Sequence, residues 1–328
     1  MIVGIDGRSL GGVRGIARST RELATALAAR PDLTVRALVP GRGAVAPDAG
    51  VALSRTRVPS RALHGWAAVM GRPEIRARLG ADVVWLPAPA PAAPGSPYVL
   101  TVHDLSWIER PQDFTPYERA WHRAIRLPRL LHRAAGVVAV SAPVADAVRE
   151  RFGVHATVIE PGVRIPADVT PEDRPRPYVL YVGALEPRKG LDVLERAWRI
   201  AEPDADLLLA GEGRVRPGVG ERLGAVSDER LHALYAGAAA LVLPSRLEGY
   251  GLPPREAAAH GVPSIVSDLP ALRMPGTLRV PPGDAAALAQ ALTSLPAERA
   301  RLVAELAPPR SWETAAAELD AVLAEAAG

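Results

Sequence analysis

YVLYVGALEPRKGLDVLERAW, residues 178–198, is a strand, a loop and a helix in succession. The opening run is apolar without alternation, as expected of a strand covered on both faces. Gly183 closes it, and from Gly190 the period changes, with Leu191, Leu194 and Trp198 on one helical face. A strand that feeds a covering helix is the unit of a parallel sheet with right-handed crossovers. Between the two lie Arg188 and Lys189, just ahead of the helix N-terminus. Cations there oppose the positive end of the helix dipole, at a cost of a few tenths to about 1 kcal/mol unless an anion neutralises them. A phosphate is the expected anion; a solvated loop with two charges is the plain alternative.

The same design continues downstream in LLLAG (207–211), AALVLPS (239–245) and PSIVS (263–267), separated by the helical patterns DERLHALYA (228–236) and PREAAAHG (254–261). Upstream it appears as IVGI (2–5), VRALV (35–39), VVWL (83–86), YVLTVHD (98–104) and VVAVS (137–141), with STRELATALAA (19–29) as the first helix. PGVRIPADVTPEDRPRP (161–177) has a linker composition. The expected division is an N-terminal domain over 1–163, a C-terminal domain over 164–310, and a helix over 311–328 that opens at Ser311 and packs back on the first domain. Two doubly wound domains predict ligand binding at the C-terminal ends of the strands, in a cleft between the sheets.

At 328 residues, the chain is comfortable for two domains. It has no cysteine, which excludes disulfides, thiolate catalysis and Cys-ligated zinc. MIVGIDGRSL (1–10) reads as a buried strand entering a turn rather than a secretory leader, and no apolar run is long enough to span a bilayer. A cytoplasmic location is expected. The net charge is only +3, from 39 basic and 36 acidic residues, so nucleic acid is not an expected partner. All but one of the basic residues are arginine. Lys189 is the single lysine in a chain that otherwise uses arginine, which marks it for attention.

LVLPSRLEGYGLPPREAAAHGVPSIVSD (241–268) carries the second constellation. A strand runs into a glycine-rich loop and a Pro-Pro helix start. Pro253 and Pro254 donate no N–H, which leaves the amides of Gly249, Tyr250, Gly251 and Leu252 to meet an anion. Glu248 lies on the loop, and Glu256 is expected in the first helical turn. Carboxylates beside a phosphate site suit sugar hydroxyls better than the phosphate itself.

These two segments resemble glycosyltransferase family 4, retaining enzymes of the GT-B architecture. The resemblance implies that Glu248 binds hydroxyls of the donor sugar, that Glu256 binds the nucleotide ribose, and that Arg188 and Lys189 contact the donor diphosphate. It extends to VLTVHDLSWIERP (99–111), where His103 would line the cleft near the transferred sugar, as in members that often use GDP-mannose. His103, Glu248, Arg188 and Lys189 are thus the candidate catalytic residues. Gly15, Gly183, Gly249, Tyr250, Gly251, Leu252 and Glu256 join Arg188, Lys189 and Glu248 in donor binding. Family members usually carry Gly-Ile-Gly where this chain has Gly15-Ile16-Ala17. If position 17 needed a positive φ, alanine would cost about 1 kcal/mol or more, with Gly11 and Gly12 available to supply flexibility.

The expected reaction is transfer of a hexose, with mannose from GDP-mannose as first choice, to a glycan, glycolipid or small-molecule hydroxyl in bacterial glycan synthesis. No metal and no cofactor is expected, the nucleoside-diphosphate sugar being a substrate. Asp204-Ala205-Asp206 spells a metal motif, but reads as a turn into the next strand. Arg119, Arg123, Arg126 and Arg133 in ERAWHRAIRLPRLLHRAA (118–135) would lie near one helical face and offer weak peripheral contact with anionic lipid. A non-catalytic nucleotide-sugar-binding protein and a GT-B sugar-nucleotide epimerase are the alternatives.

Overall fold

The computed structural model describes residues 1–11, 15–41 and 50–328, so Gly12 lies outside the described residues. The chain divides into two compact units, Met1–Gly162 with Ser311–Gly328, and Val163–Arg310. Each is a wholly parallel sheet with helices on its faces.

In the N-terminal unit the strands are β1 (Ile2–Asp6), β2 (Thr34–Val39), β3 (Val51–Arg55), β4 (Val83–Leu86), β5 (Tyr98–Val102), β6 (Gly136–Ala139) and β7 (Thr157–Val158). Their spatial order is β3-β2-β1-β4-β5-β6-β7. The helices are α1 (Gly15–Ala28), α2 (Ser60–Met70), α3 (Ile75–Leu79), α4 (Ser106–Glu109), α5 (Pro116–Ile125), α6 (Leu127–Arg133) and α7 (Ala142–Phe152). The C-terminal unit holds β8 (Tyr178–Val182), β9 (Asp206–Ala210), β10 (Glu221–Gly224), β11 (Ala240–Leu243), β12 (Ser264–Ser267) and β13 (Thr277–Val280) in the order β10-β9-β8-β11-β12-β13. Its helices are α8 (Leu191–Ala201), α9 (Asp228–Gly237), α10 (Leu252–Ala259) and α11 (Ala285–Ala304). The last helix, α12 (Trp312–Ala327), belongs to the N-terminal unit.

The central strands show why their sequences lack alternation. On β8 and β9, Val179, Tyr181, Leu207 and Leu209 enter one core with α8 and α11, while Tyr178, Leu180, Leu208 and Ala210 enter another with α9 and α10. Successive side chains point to opposite faces, and both faces are covered. In the other unit, α1 and α12 cover the same side of the sheet. Trp312, Ala315, Ala316, Leu319 and Leu323 recur at helical spacing and pack among Val3, Ile5, Leu23 and Leu27. Ser311 caps α12 by accepting from the Thr314 amide at 3.1 Å.

Residues 118–135 do not form one helix. Thr115 and Glu118 build a capping box that starts α5, and Arg126, at φ 52°, turns the chain before α6. The arginines of this stretch therefore divide between two helices rather than share one face. Asp204 and Asp206 accept from Arg176 at 2.8 and 3.1 Å. Among the described residues, no helix is long and apolar enough to cross a membrane.

Candidate active site

In both sheets the order reverses beside the first strand: between β1 and β4, and between β8 and β11. Loops that leave neighbouring strands at such a switch point diverge and leave room for a ligand. In the C-terminal unit these two loops carry most of the sequence-predicted residues.

The β8 loop passes Gly183, makes a 3-10 turn over Pro187–Lys189 and enters α8 through Gly190. Gly190 has φ +68°, and a Cβ built there would lie 2.0 Å from the carbonyl oxygen of Pro244 in the β11 loop. Only glycine permits that approach and that conformation together. The contact sets the two loops against each other, and Lys189 Nζ meets Glu248 Oε1 at 2.6 Å. The side chains are 12% and 9% exposed, so both charges are largely out of water. Glu248 Oε1 also accepts from Ser245 Oγ at 2.7 Å. Neither Lys189 nor Ser245 bonds Oε2, which projects from a carboxylate already fixed on its other side.

Lys189 thus has an anion within its own chain, Glu248, so its position before the helix does not by itself call for a phosphate. Arg188 is likewise matched, its Nε 3.1 Å from Glu186 Oε2, and its carbonyl accepts from the Arg246 amide at 2.8 Å. Arg246 is a residue that sequence reasoning missed. It grips Asp192 through two bonds of 2.6 and 2.7 Å and the Pro187 carbonyl at 2.8 Å. Those bonds hold the Asp192 carboxyl below its usual range and lock the turn that presents Lys189.

Glu256 is the fifth residue of α10, in its second turn rather than its first, so complementation of the helix dipole does not account for it. It is 6% exposed, and Oε2 accepts from the buried Tyr235 hydroxyl at 2.7 Å. His260 stacks on the Tyr235 ring, and its Nε2 lies 3.0 Å from His232 Nδ1. No local motif marked Tyr235, which sits on α9, 21 residues away from Glu256. Gly251, at φ +79°, is the N-cap of α10 without a side-chain cap, and Leu252 opens the helix. Tyr250 is buried under the Arg255 guanidinium, 3.7 Å from its ring centroid. Arg255 also donates to the carbonyls of Tyr250, Gly251 and Ala271, so the Gly249–Leu252 loop is bolted from below.

In the N-terminal unit, His103 follows β5, with Nε2 2.8 Å from the Pro87 carbonyl. A carbonyl only accepts, so Nε2 carries the hydrogen and Nδ1 is left as an acceptor. Burial outweighs that bond and nearby Asp104, holding the ring below its ordinary pKa of 6.5 and thus neutral near pH 7. Asp104 anchors its own loop through the Ser106 amide and hydroxyl, at 2.9 and 2.6 Å. Gly15 opens α1, and a Cβ there would meet nothing within 4 Å. Ala17 is buried in the same helix and is not among the positive-φ residues, so the feared strain is absent. The switch point of this unit holds a pair that sequence reasoning overlooked: Asp6, at the end of β1, binds Arg8, with side chains 6% and 8% exposed. Arg8 also reaches the Pro91 carbonyl of the β4 loop at 2.9 Å.

Two doubly wound parallel sheets define the fold class, and sucrose-phosphate synthase from Thermosynechococcus elongatus shares it. That structure, of the GT-B class, aligns with a TM-score of 0.76 over 98% of this chain and 97% of its own, at 21% identity. Residues 13–165 match the family profile described as Glycosyltransferase Family 4, and residues 176–298 match Glycosyl transferases group 1. The chain belongs to glycosyltransferase family 4. Among curated relatives, the O-antigen chain mannosyltransferase B of Escherichia coli is 37% identical over 29% of this chain and 29% of its own. The phosphatidyl-myo-inositol mannosyltransferase of Propionibacterium freudenreichii is 33% identical over 44% of this chain and 41% of its own. The matches thus span less than half the length of these two relatives.

Proposed function

We propose that the protein is a retaining glycosyltransferase that moves a hexose, with mannose from GDP-mannose as the first choice, from a nucleoside-diphosphate sugar to a hydroxyl acceptor. The observation that carries this reading is the Lys189–Glu248–Ser245 cluster at the switch point of the C-terminal sheet. Two relatives named as mannosyltransferases support the choice of sugar.

The bond from the anomeric carbon to the diphosphate breaks as the bond to the acceptor oxygen forms. The acceptor proton passes to the departing diphosphate. Negative charge grows on that leaving group, and Arg188, Lys189 and the amides of residues 249–252 stabilise it without a metal. Lys189 has three ammonium hydrogens, so it can donate to a phosphate while it keeps Glu248 in place. Glu248 Oε2 accepts from a sugar hydroxyl, and Glu256, steadied by Tyr235, accepts from the ribose. Neutral His103 is assigned a hydrogen-bonding role toward the transferred sugar.

Transfer from labelled GDP-mannose, UDP-glucose and UDP-N-acetylglucosamine to glycan, glycolipid and small-molecule acceptors tests the reading. Lys189→Ala should lower kcat about 100- to 1,000-fold, the range for losing one preorganised contact to developing charge. Glu248→Ala, which removes a hydroxyl contact and the partner that positions Lys189, should lower transfer as well. Transfer should survive a chelator. Wild-type rates in both variants would remove the proposed roles.

A further inference from the structure

The N-terminal unit holds a concavity apart from the one that His103 lines. It has a volume of about 660 Å³ and opens between the end of α2, the 91–96 loop and α6. Its polar wall is Arg126, Arg129 and Arg133, which stand at i, i+3 and i+7 where the chain turns into α6 and runs along it. All three are exposed, and none has a side-chain hydrogen bond or ion pair among the described residues. Apolar Met70 and Pro94 are also in the lining. Glu74 is the one acidic residue in the lining, and its carboxylate packs against Gly95 rather than an arginine.

Three like charges around one hollow repel each other, and the apolar, low-dielectric part of the lining focuses their field outward. An anion relieves that repulsion, and a guanidinium matches phosphate oxygens in pairs. The volume lies within the range of small-molecule sites. The position separates this hollow from the proposed chemistry. Tyr98 lines it and begins β5, whereas His103 follows the end of that five-residue strand. At about 3.3 Å per residue, Tyr98 and His103 lie about 16 Å apart.

We propose that this cavity binds a phosphate-bearing amphiphile, the phosphate against Arg126, Arg129 and Arg133 and the adjoining apolar portion against Met70 and Pro94. The site is independent of donor binding, and its ligand comes either from a bilayer or from solution.

Calorimetry on the full chain with short-chain phosphatidic acid, below its micelle concentration, tests this. The comparison is between wild type, an Arg126→Ala/Arg129→Ala/Arg133→Ala variant, and an Arg188→Ala/Lys189→Ala variant that disables the proposed donor site. The expected result is binding that weakens about tenfold or more in the first variant, persists in the second and falls with added salt. Inorganic pyrophosphate should bind the second variant more weakly than the amphiphile does, for want of an apolar portion. Flotation with vesicles of phosphatidylcholine and long-chain phosphatidic acid then identifies the source. Wild type that floats while the triple-arginine variant does not marks a bilayer ligand; binding of the short-chain lipid without flotation marks a soluble one. The exposed arginines permit a melting-temperature check that the variant is folded. Equal affinity in wild type and the triple-arginine variant, or no binding by wild type, overturns the proposal. Loss of binding only in the Arg188/Lys189 variant would do so as well, by assigning the phosphate to the donor site.

Discussion

The two switch points hold the same chemical pair, a buried cation on a carboxylate, assembled in opposite ways. In the N-terminal unit, Asp6 and Arg8 are two residues apart and belong to one loop. In the C-terminal unit, Lys189 and Glu248 are 59 residues apart and meet only because β8 and β11 are neighbours. A local pair is closed by its own turn. A long-range pair exists only while two loops hold their separation, so what enters between them is felt by both. The first arrangement braces a loop, and the second can respond to a ligand.

The harshest way to break the comparison is Gly190→Ala. The added methyl would sit 2.0 Å from the Pro244 carbonyl at φ +68°, driving the two loops apart. A loss of about 4 kcal/mol or more, read by urea denaturation, is expected. Next is Arg8→Ala, which leaves the Asp6 carboxylate buried without its partner and should cost about 3–5 kcal/mol. Lys189→Ala should cost less stability than Arg8→Ala, because Glu248 keeps the Ser245 hydroxyl, yet should lose far more transfer. A larger effect of Arg8→Ala on kcat than on stability would reverse the assignment of roles.

A pH titration of stability sharpens the contrast from the side of the N-terminal unit. Burial holds both His103 and His122 below 6.5 in the fold. The unfolded chain therefore takes up protons first as pH falls. The stability these rings allow is full above the unfolded value, and is lost as pH drops through the folded values. His103→Gln should flatten part of that loss in urea midpoints measured between pH 7 and pH 5; an unchanged slope would mean that the ring is not buried neutral. The smallest effect is expected for Gly15→Ala. With open space around the site and helical backbone, it should be neutral or stabilise by up to about 1 kcal/mol in the same urea assay.

The legible parts of the fold were the strands covered on both faces, such as β5 and β8, where an unbroken apolar run has no competing reading. The strands that escaped notice, β3, β7, β10 and β13, lie at the margins of the sheets. β7 has two residues and β10 reads ERLG, too short and too polar to stand out. The site divided in the same way. Lys189 was conspicuous as the single lysine, and Glu248 and Glu256 by their spacing. Tyr235, Arg246 and Arg255 were not, since each acts on a partner that only the topology brings near. Pro128 marked an interruption between α5 and α6, but the exact place of the break escaped, because it rests on a left-handed arginine, Arg126, which no composition rule favours.

The placement of α12 orders events at the ribosome. Its residues emerge only after Val163–Arg310, yet they complete the core of the unit that precedes that stretch. The stretch Val163–Arg310 is continuous and can close its own core as soon as it is synthesised. The N-terminal half must wait with Val3, Ile5 and Leu27 short of their final cover. Its apolar face is exposed for longer during synthesis than that of Val163–Arg310, although it is translated ahead of that stretch.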